Sequence, residues 1–225
     1  MTRLKGFTIA FDLDGTLVDT APDLTRAMNH VLRSEGLDEL DVESVRPLIG
    51  RGALALIARG FEEAGREFVD TDAERLKAVF IGYYNENIVV DSRPFDGVVE
   101  AIEELLSDDA ILVICTNKPQ GLSEKLLETL RLNHHFAAIV GADAVVARKP
   151  DPGHVREAIL RGGGDLCRAA FVGDSETDER AARGSGLPFL LYPHGYRSAS
   201  LVELAADAVF DDYRALPGLI RSLGA

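Results

Sequence analysis

The chain reads as an α/β protein: a three-layer doubly wound parallel sheet with a helical subdomain inserted near its start. Three observations predict this. A buried apolar strand comes first, in the run Phe7-Thr8-Ile9-Ala10-Phe11. From about Ala21 to Ile88 every periodic segment is then helical. Beyond Pro94 short apolar runs alternate with helical periods, and strands separated by helices pair in parallel through right-handed crossovers.

The elements follow in order. After the opening strand, Ala21-Pro22-Asp23 starts a helix, with apolar Leu24, Met28, Val31 and Leu32 at helical spacing until Gly36. Further helical segments run near Val42–Ile49, Ala53–Ala64 and Ala73–Asn87. Pro94-Phe95-Asp96-Gly97 marks the return to the sheet. It is followed by a helix at Val98–Leu106 and a strand at Ile111–Ile114, rich in β-branched residues. Helix Leu122–Leu130, strand Ala138–Val140, helix Val155–Arg161, strand Ala169–Val172, helix Glu176–Gly184 and strand Phe189–Tyr192 alternate from there. A strand at Ala208–Phe210 and a helix from Tyr213 to Leu223 close the reading. This divides the chain into a core of residues 1–20 and 92–225 and a helical cap of residues 21–91.

Composition narrows the partners. With 37 acidic against 24 basic residues the formal charge is −13, a surface that repels phosphate backbones and argues against a nucleic-acid partner. Hydrophobic residues make up 46% of the chain, enough for a buried core. Cys115 and Cys167 have neither metal-ligand spacing nor the look of a disulfide framework, which fits a reducing compartment. No apolar run approaches the ~18 residues that span a bilayer, and the first residues lack a signal peptide's apolar core. The expectation is a soluble cytoplasmic protein, monomer or homodimer, with no membrane partner.

Ligands of doubly wound sheets bind beyond the carboxyl ends of the strands. Four polar groups fall there: Asp12-Leu13-Asp14-Gly15-Thr16, Thr116-Asn117-Lys118, Arg148-Lys149-Pro150 and Gly173-Asp174-Ser175-Glu176-Thr177-Asp178. Converging, they put several carboxylates, one or two ammonium groups and a hydroxyl into one crevice. Each also has a plainer reading. Asp14-Gly15 fits a tight turn, although a helix start and no partner strand follow it. Spacing of two in an extended chain sends Asp12 and Asp14 toward one face, where one carboxylate can attack and the other move a proton. Gly15 lets the backbone pass close to a ligand.

Thr116 fits an N-cap for the next helix, or a hydroxyl offered to an anion beside backbone N–H groups. Lys149 fits a solvated loop lysine, or the fixed charge that balances the carboxylates and holds a phosphoryl oxygen; Asp151-Pro152 is a good N-cap pair behind it. Ser175 and Asp178 fit a capping box, while Asp174, at the strand end itself, suits a hard cation such as Mg²⁺. His134, His135, His154 and His194 have no partner at ligand spacing and read as surface or loop residues. Gly50-Arg51-Gly52 reads equally as a helix start and as an anion clamp reaching from the cap.

The ordered set Asp12-x-Asp14-Gly15-Thr16, Thr116-Asn117, Lys149-Pro150 and Gly173-Asp174-x-x-x-Asp178 resembles the four motifs of the haloacid dehalogenase-like hydrolase superfamily, and the insert matches its helical-cap subclass. Leu17-Val18-Asp19-Thr20-Ala21-Pro22-Asp23-Leu24 and Ile49-Gly50-Arg51-Gly52-Ala53 are most similar to bacterial phosphoglycolate phosphatases. The resemblance implies a Rossmann-like core. It makes Asp12 the nucleophile that forms an aspartyl-phosphate and Asp14 the general acid and then base. Thr116 and Lys149 then hold phosphoryl oxygens, with Gly15, Thr16, Asn117 and Arg51 near the substrate. Asp12, the backbone carbonyl of Asp14 and Asp174 bind Mg²⁺, with Asp178 in support.

The function expected is thus hydrolysis of a small phosphorylated metabolite, 2-phosphoglycolate first. Alternatives are a sugar-phosphate mutase, a phosphatase for a nucleotide, sugar phosphate or pyrophosphate, and a non-catalytic binding protein. Two adjacent carboxylates beside an anion site argue against the last. Asp14 and Asp174 argue against a dehalogenase, which needs neither.

Overall fold

The computed structural model describes residues 4–196 and 204–223. A six-stranded parallel sheet forms its centre. The strands are β1 (Thr8–Phe11), β4 (Ile111–Cys115), β5 (Ala138–Val140), β6 (Ala169–Gly173), β7 (Phe189–Leu191) and β8 (Ala208–Val209), in the order β5-β4-β1-β6-β7-β8. Thr8 of β1 aligns with Ile111 on one side and Ala169 on the other. The order reverses between β1 and β6, so the crevice of this sheet opens where Asp12 and Asp174 follow those two strands.

Both faces are covered, and the strands alternate accordingly. Ile9 and Phe11 of β1, with Leu112, Ile114, Ala170, Val172 and Leu190, join one apolar cluster with α5 (Val98–Ser107), α6 (Gln120–Thr129) and α9 (Leu216–Leu223). Ala10, Val113, Cys115, Phe171, Phe189 and Leu191 face the other way, onto α7 (Pro152–Arg161) and α8 (Glu176–Ser185). Side chains on both faces being buried, the strands read as unbroken apolar runs.

The insert comprises α1 (Ala21–Ser34), α2 (Val42–Val45), α3 (Ala53–Glu63) and α4 (Ala73–Glu86). The segment expected as one helix at Val42–Ile49 is α2 followed by a 3₁₀ turn, Arg46–Leu48, with Pro47 at its start. Similarly, the last helix begins as a 3₁₀ turn at Tyr213–Ala215. A β-carbon on Gly60 would stand 2.4 Å from Met28 Cε, so α3 and α1 approach closely there.

One expectation is overturned. The turn at Asp14-Gly15 does lead to a strand with a partner: β2 (Val18–Asp19) pairs antiparallel with β3 (Arg93–Pro94), Val18 opposite Pro94. Two residues are too few to show a period, and the partner lies some 75 positions away. These strands are the outgoing and returning crossings between sheet and helices. Asp23 clasps them, its carboxylate accepting from the backbone N–H groups of Val90, Asp91 and Ser92 and from the Ser92 hydroxyl at 2.7 Å. Among the described residues no helix is long and apolar enough to cross a membrane, and both cysteines are free thiols.

Candidate active site

Asp12 follows β1 directly, and its N–H still belongs to the sheet, donating to Val172 O at 3.0 Å. Its carboxylate meets the Lys149 ammonium at 2.8 Å. Lys149 is buried and bonds Asp178 Oδ1 as well, at 2.6 Å. The other oxygen of Asp178 accepts from the N–H groups of Asp174 and Ser175 and from the Ser175 hydroxyl, which ties the start of α8 to the end of β6. Asp174 accepts from the Thr16 hydroxyl at 2.7 Å and from the Tyr196 N–H at 2.5 Å. Gly15 has φ +86°, and a β-carbon there would lie 2.7 Å from both Asp174 Oδ2 and the Tyr196 ring.

One oxygen each from Asp12, Asp174 and Asp178 lies within 4.8 Å of the others. Burial pushes the Asp12 carboxyl up to about 7; the Lys149 ammonium pulls it down and Asp178 adds to the rise. Burial, then the charges of Asp178 and Asp12, push Asp174 well above the ordinary carboxylate range. Lys149 is held protonated: burial works against its charge, but Asp12 and Asp178 outweigh it. Three carboxylates with one ammonium leave the cluster short of positive charge. All their donors are hard oxygens, so the residues fit a hard divalent cation such as Mg²⁺.

Asp14 points to a different partner. Its carboxylate accepts from Lys118 Nζ at 2.9 and 3.1 Å and from the Thr20 hydroxyl at 2.8 Å. Asp12 and Asp14 nevertheless line one cavity of about 50 Å³, together with Thr116 and Asn117 and under an apolar roof of Leu24, Ile49, Leu56 and Phe80 from the insert. Thr116 does not cap the following helix. That helix starts behind Pro119, and the Thr116 hydroxyl accepts from the Lys118 N–H at 3.2 Å. Asn117 Nδ2 donates to Gly50 O and to Lys149 O, joining the insert to the lysine loop.

Arg51 stands apart from that cavity. It is exposed and lines an open cleft of about 600 Å³ with Asn117, Arg148, Lys149 and Arg180.

Three further residues, His154, Tyr196 and Lys118, bond to the residues of the site, and of these only Lys118 stands in one of the four polar groups at the strand ends. His154 corrects the expectation of a surface or loop residue: it lies in α7. It is fully buried; its Nδ1 accepts the Lys149 N–H at 3.2 Å and its Nε2 donates to Val140 O at 3.1 Å. Burial, then the Lys149 charge, push its pKa down to about 4. The other histidines described above are exposed or partly so. Tyr196 donates its hydroxyl to Asp19 at 2.6 Å and accepts from the N–H groups of Thr20 and Ala21, while Arg46 pairs with Asp19 and lies over its ring. Lys118, paired with Asp14, also donates to the Tyr84 hydroxyl at 2.9 Å. Its place at a strand end is among the expectations above; its pairing with Asp14, 104 positions away, is not.

Comparison with known proteins agrees with this architecture. The sequence pattern of the haloacid dehalogenase-like hydrolases matches residues 9–192. A phosphoglycolate phosphatase of Caulobacter vibrioides is 45% identical over 214 residues, covering 95% of this chain and 90% of its own. One of Agrobacterium fabrum is 40% identical, with 95% and 92% covered. The crystal structure of a protein described as a predicted phosphoglycolate phosphatase from Haemophilus somnus superposes with TM-score 0.88 at 30% identity, covering 97% and 99% of the chains. CbbY from Rhodobacter sphaeroides, in complex with phosphate, has TM-score 0.73 at 28% identity, covering 93% and 95%. With most of its length matched in this way, the chain belongs to the haloacid dehalogenase-like hydrolase family.

Proposed function

We propose that this chain is a Mg²⁺-dependent phosphomonoester hydrolase that acts on 2-phosphoglycolate through an aspartyl-phosphate on Asp12. One observation carries the reading. A buried carboxylate at the end of the central strand has an ammonium at 2.8 Å and two more carboxylates within 4.8 Å, and it opens onto a small cavity that also holds Asp14. Phosphoryl transfer needs positioning and compensation of charge on the equatorial oxygens more than elaborate covalent chemistry, and these are the parts for it. The relatives' names supply the substrate, and the phosphate complex of CbbY shows that a similar fold holds a phosphate.

In this reading Asp12 attacks phosphorus and the ester P–O bond breaks, while Asp14 gives its proton to the departing alkoxide. Asp14 then takes a proton from water, whose oxygen attacks phosphorus and frees Asp12 and phosphate. Lys149 and the Thr116 hydroxyl hold phosphoryl oxygens, and Gly15, Thr16 and Asn117 keep the backbone around them in place. Asp12, the backbone carbonyl of Asp14 and Asp174 would hold the cation, with Asp178 braced behind them. When bound, Mg²⁺ supplies the positive charge that offsets the phosphoryl oxygens and the carboxylates. Residues 21–91 serve as the cap and residues 1–20 and 92–225 as the catalytic core, the apolar roof excluding bulk water from the cavity. Arg51 reaches the substrate only if the cap shifts. We place the enzyme in the cytoplasm, as a monomer or homodimer.

The test is phosphate release from 2-phosphoglycolate and from a generic aryl phosphate, each with and without Mg²⁺. Release should require the metal and favour 2-phosphoglycolate. Unchanged release by Asp12→Asn would remove Asp12 as nucleophile.

A further inference from the structure

The cavity beside Asp12 and Asp14 has an unusual charge pattern. Its roof is apolar, and among the described residues that wall it Lys118 is the only cation, paired with the carboxylate of Asp14. Lys118 is buried, yet nothing in the phosphoryl-transfer steps above uses it. We propose that Lys118 is the specificity-determining residue that binds the substrate's carboxylate, so that the cavity selects small phosphomonoesters carrying a second anion next to the ester. This rests on the hydrolase reading given above and deepens it.

Geometry supports the assignment. Lys118 Nζ is fixed on two sides. The Tyr84 hydroxyl lies at 2.9 Å and its ring centroid at 4.5 Å, while the Asp14 oxygens lie at 2.9 and 3.1 Å. Two of its N–H groups thus serve one carboxylate, which the Thr20 hydroxyl also holds at 2.8 Å. Asp14 can keep Thr20 and one N–H of Lys118 while the other N–H turns to a ligand carboxylate. Burying a ligand anion against an apolar wall is favourable only where a fixed cation meets it, and a cation already desolvated gives up little on doing so.

The lining points the same way: Thr116, assigned above to a phosphoryl oxygen, and Lys118 wall the same small cavity of about 50 Å³, so a short ester can meet both. The arginines of the neighbouring cleft, Arg51, Arg148 and Arg180, are exposed and are not among the residues that line this cavity. Their charge is shared with solvent and selects weakly.

The experiment compares kcat/KM for 2-phosphoglycolate, for its neutral analogue 2-hydroxyethyl phosphate and for the one-carbon-longer phosphate of 3-hydroxypropionate, in the wild type, Lys118→Met, Arg51→Ala and Arg148→Ala. A charge-assisted hydrogen bond lost from a buried carboxylate corresponds to roughly 10- to 150-fold. The ratio of 2-phosphoglycolate to the neutral ester should therefore fall by that factor in Lys118→Met, chiefly through KM, and hold in the arginine variants. If Lys118→Met slows both esters equally, Lys118 acts only through Asp14; the proposal is overturned while the 2-phosphoglycolate reading stands. Loss of the ratio in an arginine variant instead overturns it too. If the wild type prefers the longer carboxylated ester and Lys118→Met erases that preference, the proposal holds and 2-phosphoglycolate is the wrong substrate. Equal wild-type rates on charged and neutral esters sink both. Lys118→Gln, which keeps an N–H for Asp14 and Tyr84, gives the same readout should Lys118→Met fail to fold.

Discussion

His154→Leu removes the side chain that holds the Lys149 backbone, and its consequences can be worked out in advance. At pH 7 the Lys149 N–H loses its buried acceptor, which costs about 1–3 kcal/mol. Val140 O loses a second donor worth about 1 kcal/mol but keeps the Thr116 N–H, so the total is about 2–4 kcal/mol. A chain of 225 residues unfolds with about 0.5 kcal/mol/K of entropy, so Tm should fall by about 4–8 °C.

Acid adds a second signature. His154 is held down to about 4, below its ordinary 6.5, first by burial and then by the Lys149 charge. Between those values the unfolded chain binds the proton and the folded one does not, so this group's stabilisation is present above about 6.5 and is lost as pH falls toward 4. From pH 7 to pH 5 the wild type should lose about 2 kcal/mol that the variant does not, about 4 °C in Tm. Asp12 and Asp174, raised rather than lowered, favour the folded state as pH falls; they are common to both proteins and cancel in the comparison. The assay is urea or thermal unfolding of both proteins at pH 5, 6 and 7, with kcat/KM recorded at pH 7. An identical pH slope in the two proteins would refute the assignment of His154 as the neutral, buried anchor of Lys149.

Other perturbations test neighbouring parts of the structure. Asp23→Asn weakens the clasp between the outgoing and returning chains by roughly 2–4 kcal/mol at pH 7, since the bonds kept by the amide oxygen become neutral and its NH₂ meets donors where the second carboxylate oxygen accepted from Asp91 N–H and Arg26. Burial raises the Asp23 pKa, but the Ser92 hydroxyl and the N–H groups of Ser92, Val90 and Asp91 together hold it below the usual range. Its contribution is therefore present above about pH 4 and lost as pH falls through the folded value, so the Tm gap to the variant should close in that acid range. Gly15→Ala forces a β-carbon to 2.7 Å from Asp174 at a φ of +86°, a left-handed conformation costing about 1–2 kcal/mol; kcat/KM should drop by more than this alone explains, through displacement of Asp174. Tyr196→Phe cuts the hydroxyl from Asp19, Thr20 and Ala21 but leaves the N–H on Asp174. It should cost about 1–2 kcal/mol in unfolding experiments while Mg²⁺ affinity, by calorimetry, stays within about twofold.

The sequence by itself determined the six strands of the central sheet and which of their ends are polar. Ile111–Cys115 and Ala169–Gly173 are short β-branched or apolar runs, and the residues after them, Thr116 and Asp174, stand at the crevice because a parallel sheet with crossover helices leaves ligands nowhere else to bind. These are local or topological facts, carried by periodicity over a few positions. The partners of those residues were not legible in the same way. Lys118 reaches Asp14 across 104 positions, Tyr196 reaches Asp19 across 177, and β2 meets β3 through two residues each.

His154 shows why. It stands in the first turn of α7, five positions from the Lys149 N–H that it accepts, but its other ring nitrogen bonds Val140 O on β5, and the packing of α7 against that strand is not recorded in helical spacing. Side-chain pairing is decided when separate elements close on one another. There, burial makes each unpartnered polar group costly, and the fold selects the few placements in which each finds a partner. The identity of the residues around Asp12 was thus written in the chain, whereas the division of its two lysines, Lys149 to Asp12 and Lys118 to Asp14, was settled only by the tertiary structure.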